Sequence, residues 1–490
     1  MKFLKNCMLM VAALLLITSC SKSESKMESQ IPADATLVIK ANIPQLVKNL
    51  GIEIKGGEMV LPQKFAQMLK DNGMDLEKNK GDIEKFLKSG IDFDGSIYAF
   101  QPAKNAGGKD EFSFVVLIPI DDEAKLDAFL KEDAKLNFED KDGLKLAKSG
   151  TSINAIKDGI LYIAEGNVAD PAAKINALAK LDKSAGDNKS IAKALDTNDD
   201  VNIYVDTKNL KEQIKEVAGY MGGNDMSKVI LELIDVKSSA LHMNLSGNEI
   251  TIKTDNEVDN NSGFAKLVKS VTGKPSADLL AYMPKASNMG VFNLSLNGEG
   301  ILNLELLKPY VEQFGSDPMM QKMMEIVKSI NGPVAIGFAS ENLSPEDVDV
   351  AFAIKCGKAE EFAAMAEEMM AGSLTKKGDV WELNPAAFGM GGTLSAKKGV
   401  VCMRISRKGY SENMGGISDA KDVLGNSISG AFCSLKIDNM QLQLTSEGKD
   451  VKEGKMVLWV KEDGKKMNIL DALTFFMKAK DKAGAIVPTR

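Results

Sequence analysis

One unit, strand, polar loop, strand and amphipathic helix, occurs twice in this chain and limits its fold more than any other feature. The first copy runs from Gly95 to Phe100, resumes from Glu111 to Ile120, and continues into Asp121 to Leu130. The second runs from Gly332 to Phe338, then Asp347 to Cys356, then Gly357 to Met365. Other elements keep the same order around the two copies. A hairpin turning at Lys157-Asp158-Gly159 is echoed at Lys397-Lys398-Gly399. A strand over 201–205 is echoed over 428–437, and strands flanking Ser246-Gly247-Asn248 are echoed over 440–445 and 455–460. A closing helix over 264–271 is echoed over 469–478, while helices over 210–220 and 226–234 belong to the first half alone. Strands joined by hairpins and mixed with helices imply an α+β fold. The expectation is two tandem duplicated domains, residues 31–272 and 273–490, each a largely antiparallel sheet with packed helices.

The N-terminus carries the clearest address. Lys2 and Lys5 form a basic start, Met8 to Ile17 is apolar but too short to span a bilayer, and Leu16-Ile17-Thr18-Ser19 leads into Cys20. This pattern resembles a bacterial lipobox. The resemblance implies a signal peptide over 1–19, cleavage before Cys20, and a lipid thioether on the Cys20 sulfur, with several acyl chains for stable anchoring. Residues 20–30 are polar and aperiodic and read as a flexible tether with a reach of roughly 33 Å over ten residues. Ser21 after the lipidated Cys implies outer-membrane sorting, on the periplasmic face or at the cell surface. No later stretch approaches 18 apolar residues, so no transmembrane helix is expected.

With 490 residues, two or more domains are expected. The formal net charge of −7 argues against nucleic acid or anionic lipid as a partner.

The candidate chemistry is sparse. His242 is the single histidine. It lies in a strand whose Leu241, Met243 and Leu245 share the other face, so it reads as a solvated strand histidine. Without a Gly-x-Ser-x-Gly motif it makes no triad, and one His leaves few zinc or iron sites. Asp196 to Asp200 begins like a calcium loop, but Val201 stands where the turn needs Gly and Thr207 where the bidentate Glu belongs, so a polar turn is the reading. Ser190 and Lys193 match Ser-x-x-Lys without its partner motifs. Gly389 to Gly392 precedes a strand and offers no helix N-terminus to a phosphate. Met319, Met320, Met323 and Met324 share one helix, and Met365, Met369 and Met370 another; thioethers can bind Cu(I), but core packing is the reading adopted. Trp381 and Trp459 lie on strands and provide little of a carbohydrate shelf. No cofactor and no metal is expected.

The lipobox at Cys20, the tether, and the Ile31 to Ile39 start followed by a Leu-rich helix resemble a family of Bacteroidota envelope lipoproteins known only as a domain of unknown function. That resemblance supplies an address and no residue roles. The functional expectation is a lipid-anchored envelope protein that binds or scaffolds without catalysis, held to the membrane at Cys20, with a protein or glycan partner. The alternatives are an envelope hydrolase using paired carboxylates on glycan or peptide, or a carbohydrate-capture lipoprotein.

Cys356, Cys402 and Cys433 occupy strand positions that the other half fills with Ile120, Tyr162 and Ile203, which makes them small hydrophobes rather than ligands. Thiol titration of the mature protein should find almost none reactive when folded and all three after denaturation without reductant. Recovery of a single thiol would reveal a disulfide.

Overall fold

The computed structural model describes residues 24–55, 58–71, 80–103, 111–208, 236–304, 307–370, 372–385, 390–406, 421–450, 452–472 and 475. The leader, Cys20, Gly389, the helices expected over 210–220 and 226–234, and most of the closing helix expected over 469–478 lie outside these residues. Contacts divide the chain into two units. The first holds the described residues up to Lys208, Val236–Glu257, and those from Met467 onward; the second holds Val258–Lys466.

The first unit contains strands β1 (Leu37–Asn42), β2 (Glu53–Lys55), β3 (Glu58–Val60), β4 (Ser96–Gln101), β5 (Phe114–Pro119), β6 (Glu139–Lys141), β7 (Leu144–Ser149), β8 (Ser152–Lys157), β9 (Ile160–Glu165), β10 (Val201–Asp206), β11 (Ser238–Asn244) and β12 (Ile250–Glu257). Ten of them pair antiparallel in the order β6-β7-β8-β9-β5-β4-β1-β10-β11-β12. The short β2 and β3 form a ribbon of their own.

The second unit contains β13 (Asn288–Asn297), β14 (Ile330–Ser340), β15 (Asp349–Cys356), β16 (Leu374–Lys377), β17 (Val380–Leu383), β18 (Gly391–Lys397), β19 (Val400–Ser406), β20 (Ser429–Ile437), β21 (Met440–Gly448), β22 (Glu453–Glu462) and β23 (Lys465–Lys466). They pair as β16-β17-β18-β19-β15-β14-β13-β20-β21-β22-β23, again antiparallel throughout.

The expected fold class needs correction here. Two tandem domains, each with its own sheet, were expected; instead all strands except β2 and β3 belong to one sheet of 21 strands. The physical reason is that a strand presents unpaired N–H and C=O groups along both edges, so pairing continues wherever no edge is blocked. Period-2 alternation in a sequence marks a strand and its two faces but says nothing about which edge meets which.

Local chemistry accounts for many of the turns. Asp158 and Gly159 both have positive φ, at 51° and 76°, as do Lys398 and Gly399, at 53° and 74°. These are the mirror-image turns whose twist suits two-residue hairpins, and they join β8 to β9 and β18 to β19. Helices begin at side-chain caps. Asp317 Oδ1 accepts from the Met319 and Met320 amides at 2.8 and 3.0 Å, and Pro318 opens the helix Pro318–Lys328.

The first unit is apolar on both sheet faces. One face packs Val38, Tyr98, Phe100, Val115, Leu117 and Tyr162 against the helices Pro171–Leu178 and Lys189–Leu195. The other carries one cluster around Phe86, Phe93, Ile118 and Leu126 and another around Ile43, Leu46, Leu50 and Leu245. In the second unit, Met289, Val291, Ala335, Ala351, Ala353 and Phe432 pack under Leu279, Leu280, Met283 and Leu424. Cys356 and Cys402 are buried, Cys433 is half-buried, and all three are free thiols. Burial pushes the Cys402 and Cys433 thiols up, and Arg404 partly offsets this for Cys402.

Residues 24–30, expected to be tether, are ordered. Glu24–Glu28 forms a helical turn whose Met27 is fully buried, and Ile31 behind it is fully buried too. A burial of this kind depends on a cavity shaped by distant residues, which a polar ten-residue stretch does not announce.

Gly90 has φ +88°, and a Cβ there would lie 2.1 Å from the Asp122 carbonyl oxygen. Its own carbonyl accepts from the Asp121 and Asp122 amides at 2.9 and 3.0 Å. Gly90→Ala should therefore cost about 2 kcal/mol or more in urea unfolding, from the strained φ together with the backbone clash. A variant as stable as the parent would contradict this packing.

Candidate functional site

A connected set of ionisable and hydrogen-bonding side chains lies on one face of the first unit. Strand register creates it. Tyr98 on β4 pairs with Lys40 on β1, Lys40 with Asn202 on β10, and Asn202 with His242 on β11. Cross-strand partners share a face, so these four form a row. The row lies on the same face as Val38 and Phe100, which is the buried side of the sheet.

Lys40 is 7% exposed. A buried ammonium is expensive unless paired. Its partners come from three segments. Glu28 Oε1, on the N-terminal turn, lies 3.7 Å from Nζ. The Leu195 carbonyl, at the negative end of the helix Lys189–Leu195, accepts from Nζ at 3.3 Å. The Tyr98 ring has Nζ 5.7 Å from its centroid. The Tyr98 hydroxyl donates to the same Glu28 Oε1 at 2.8 Å, so one carboxylate serves both groups.

The neighbouring half of the row is held by the turn Asp196–Asp200. Thr197 Oγ1 donates to Asn202 Oδ1 at 2.6 Å, and His242 Nδ1 donates to the same oxygen at 2.7 Å, which places the imidazole proton on Nδ1. Asp199 Oδ2 lies 3.9 Å from Nδ1. The His242 side chain is only 11% exposed. The solvated histidine expected from the sequence is therefore corrected: its polar face is the sheet's inner face. Burial lowers the His242 pKa, and Asp199 and Asp255 oppose that.

Asp200 is fully buried and accepts from Asn49 Nδ2 at 2.9 and 3.0 Å and from the Leu245 amide. Burial raises its pKa, which those hydrogen bonds partly counter. Its oxygens thus point toward Asn49 and β11, while Thr197 turns to Asn202. The loop does not gather its oxygens around one point, and no cluster of three or more His, Cys, Asp or Glu suited to a metal occurs among the described residues. The Ser-x-x-Lys pair is similarly committed. Ser190 Oγ donates to Glu257 Oε2 at 2.5 Å, and Lys193 pairs with Asp255.

The N-terminal turn closes over this face. Besides Glu28, Lys26 donates to the Asp158 carbonyl and the Tyr162 hydroxyl donates to Gln30. Burial pushes the Tyr162 phenol far up, so it stays a donor.

The methionines divide between core and surface. Met365 is buried with Ile326 and Cys356, and Met323 packs on them, whereas Met319 and Met369 are exposed. Trp381 is buried and donates through Nε1 to Glu367 at 2.6 Å. Trp459 is half-buried with Lys461 and Lys466 over its ring at 4.4 and 5.5 Å, so lysines occupy the face a sugar would need.

Against known families, residues 27–380 match the model described as a domain of unknown function, DUF4836. The chain belongs to this family. The match begins at Met27, the first buried residue among those described. No curated protein matches the chain. Among solved structures, crystal form III of TP0453 is similar at 10% identity with a TM-score of 0.29, covering 48% of this chain and 80% of that one. Crystal form I of TP0453 gives 11% identity and a TM-score of 0.28, covering 48% and 79%. Likeness at that level carries no argument about this family member. No helix among the described residues is long and apolar enough to cross a membrane.

Two outcomes follow from the polar row. Glu28→Ala removes the carboxylate that lies 3.7 Å from Lys40 Nζ and should cost about 2 kcal/mol in urea unfolding, below the roughly 3–5 kcal/mol of a fully buried pair because Glu28 is partly exposed. Adding Lys40→Met, which removes the stranded charge, should recover most of that loss; a double variant no better than Glu28→Ala would contradict the pairing. The second concerns pH. The His242 pKa is lowered on folding, so the unfolded chain binds the proton more tightly. Stability should then fall as pH drops below the ordinary value of 6.5. His242→Gln should flatten that part of the profile, and an unchanged slope would refute the assignment.

Proposed function

We propose that this protein is a lipid-anchored component of the bacterial outer membrane that works by binding, without chemistry of its own. The observation that carries this reading is the docking of the segment directly behind Cys20. With Glu24–Glu28 folded and Met27 buried, at most about four residues separate the acylated Cys20 from the fold, a reach of roughly 13 Å. A tether of that length holds the first unit against the membrane surface. The side chains that could perform chemistry support the binding role, because each is committed to a structural partner: His242 to Asn202, Ser190 to Glu257, Lys193 to Asp255 and Lys40 to Glu28. The outer-membrane address is part of the same reading and rests on the lipobox and Ser21 alone.

The test is the native N-terminus. The mature protein should carry diacylglyceryl mass on Cys20 and partition into the detergent phase, and Cys20→Ala should abolish both. A mature chain with an unmodified Cys20 would overturn the anchor. Gln- and Asn-substituted carboxylate variants that abolished a measured glycan- or peptide-cleaving activity would overturn the non-catalytic reading.

A further inference from the structure

The strands of the second unit carry a second apolar face, opposite the one packed under Leu279, Leu280 and Met283. Register defines it. One row across eight strands reads Gly392, Ile405, Val350, Phe338, Gly290, Cys433, Leu444 and Leu458. The adjacent row reads Leu394, Met403, Phe352, Ile336, Phe292, Ala431, Ser446 and Met456. Neither row contains an ionisable carboxylate, ammonium or guanidinium group. Strands that are apolar on both faces belong to sheets covered on both sides. Yet Phe292, Ile336, Phe338 and Val350 stand 50%, 47%, 46% and 36% exposed. They are four of the eight exposed large apolar side chains among the described residues, and they sit together. The helix Ala359–Met369 covers the next row, toward Ile354 and Val401, and also Leu394, Met403 and Phe352 at one end of this row, so the open strip runs on from β15 toward β22. Phe338 lies across Gly290, where an added Cβ would come within 2.3 Å of the ring, so the aromatic ring forms part of a continuous floor.

We propose that this strip binds the acyl chains of a diacyl lipid; the inference deepens the binding role proposed above and rests on it. Charge and size select this occupant. A protein partner recognises a surface through a polar rim and hydrogen bonds around an apolar centre, and two rows with Ser446 as their one hydroxyl provide neither. Five strand spacings, from β15 to β22, make the open strip roughly 24 Å long, and two rows make it about 14 Å wide. That is on the order of 300 Å² of sheet face, below the roughly 800 Å² per partner of a stable protein interface. It exceeds the length of one acyl chain, about half of a hydrocarbon core roughly 30 Å thick, and accommodates two laid across the strands. Neutral hydrocarbon needs no more than this floor supplies.

The test uses the full mature chain with Cys20→Ser, so that its own anchor does not compete. A dansyl-labelled undecanoic acid and a pyrene-labelled phosphatidylethanolamine serve as probes in fluorescence titrations, alongside native mass spectrometry of the purified protein. Both probes should bind, and Ile336→Lys should weaken them at least tenfold. Phe292→Ser, which places a hydroxyl where the ring is already half in solvent, should do the same and serves if the lysine variant fails to fold. Met369→Lys, on a side chain exposed elsewhere, should change neither. Full-strength binding in folded Ile336→Lys and Phe292→Ser would overturn the proposal, as would no binding by the parent. A dimer seen by sedimentation that Ile336→Lys dissolves, with no probe bound, would assign the strip to a second copy instead. Lipidation of Cys20 is read separately on the native protein, so a failure of the anchor and a failure of the strip are told apart.

Discussion

A single buried ammonium governs much of the first unit. Lys40 sits mid-strand on the inner face of the sheet, where an unpaired charge would cost several kcal/mol. Its compensation is gathered from Glu28, Tyr98 and the end of the helix Lys189–Leu195, and none of these is near it in sequence. The same Glu28 holds the Tyr98 hydroxyl. Through this arrangement the chain's first ordered turn, the β1–β4 ladder and the helix before β10 depend on one another. The continuing row, with Asn202 Oδ1 accepting hydrogen bonds from Thr197 and His242, extends that interdependence to β11. Polar groups placed in this way specify a register, since a slip of one residue on β1 would turn Lys40 to the opposite face.

This economy bears on function. Side chains that resemble catalytic parts in the sequence have partners in the fold: Ser190 bonds Glu257, Lys193 pairs with Asp255 and His242 bonds Asn202. The second unit presents a different situation, in which an apolar face stands partly uncovered although its strands are built for burial on both sides. One unit is thus closed around its polar groups, and the other offers hydrocarbon to its surroundings. Membership of a family described only as a domain of unknown function assigns neither feature a role.

Legibility in the sequence followed the range of the interaction. The hairpins at Asp158-Gly159 and Lys398-Gly399 were readable because a two-residue turn with positive φ is decided by the residues in it. Asp317-Pro318 announced its helix for the same reason, since cap and first turn are three residues apart. His242 was misread because alternation separates two faces but does not say which one is covered. Met243 lies on one packed face, and the fold packs the other face of β11's sheet as well. Residues 24–30 were misread because their polarity is real, while Met27 and Gln30 are buried by partners such as Tyr162 that lie more than a hundred residues away.

The sequence by itself determined the strands, their turns and their two-faced apolar character, because each is written in residues within one turn or one strand of each other. Only the tertiary structure decided that 21 strands share one antiparallel sheet, that Lys40 and His242 belong to one buried row, and that Phe292, Ile336, Phe338 and Val350 meet on one open face. Strand edges are chemically alike at every position, since backbone N–H and C=O groups carry no side-chain identity. Which edges meet is therefore fixed by the packing of the whole chain, and every long-range neighbour in this protein follows from that choice.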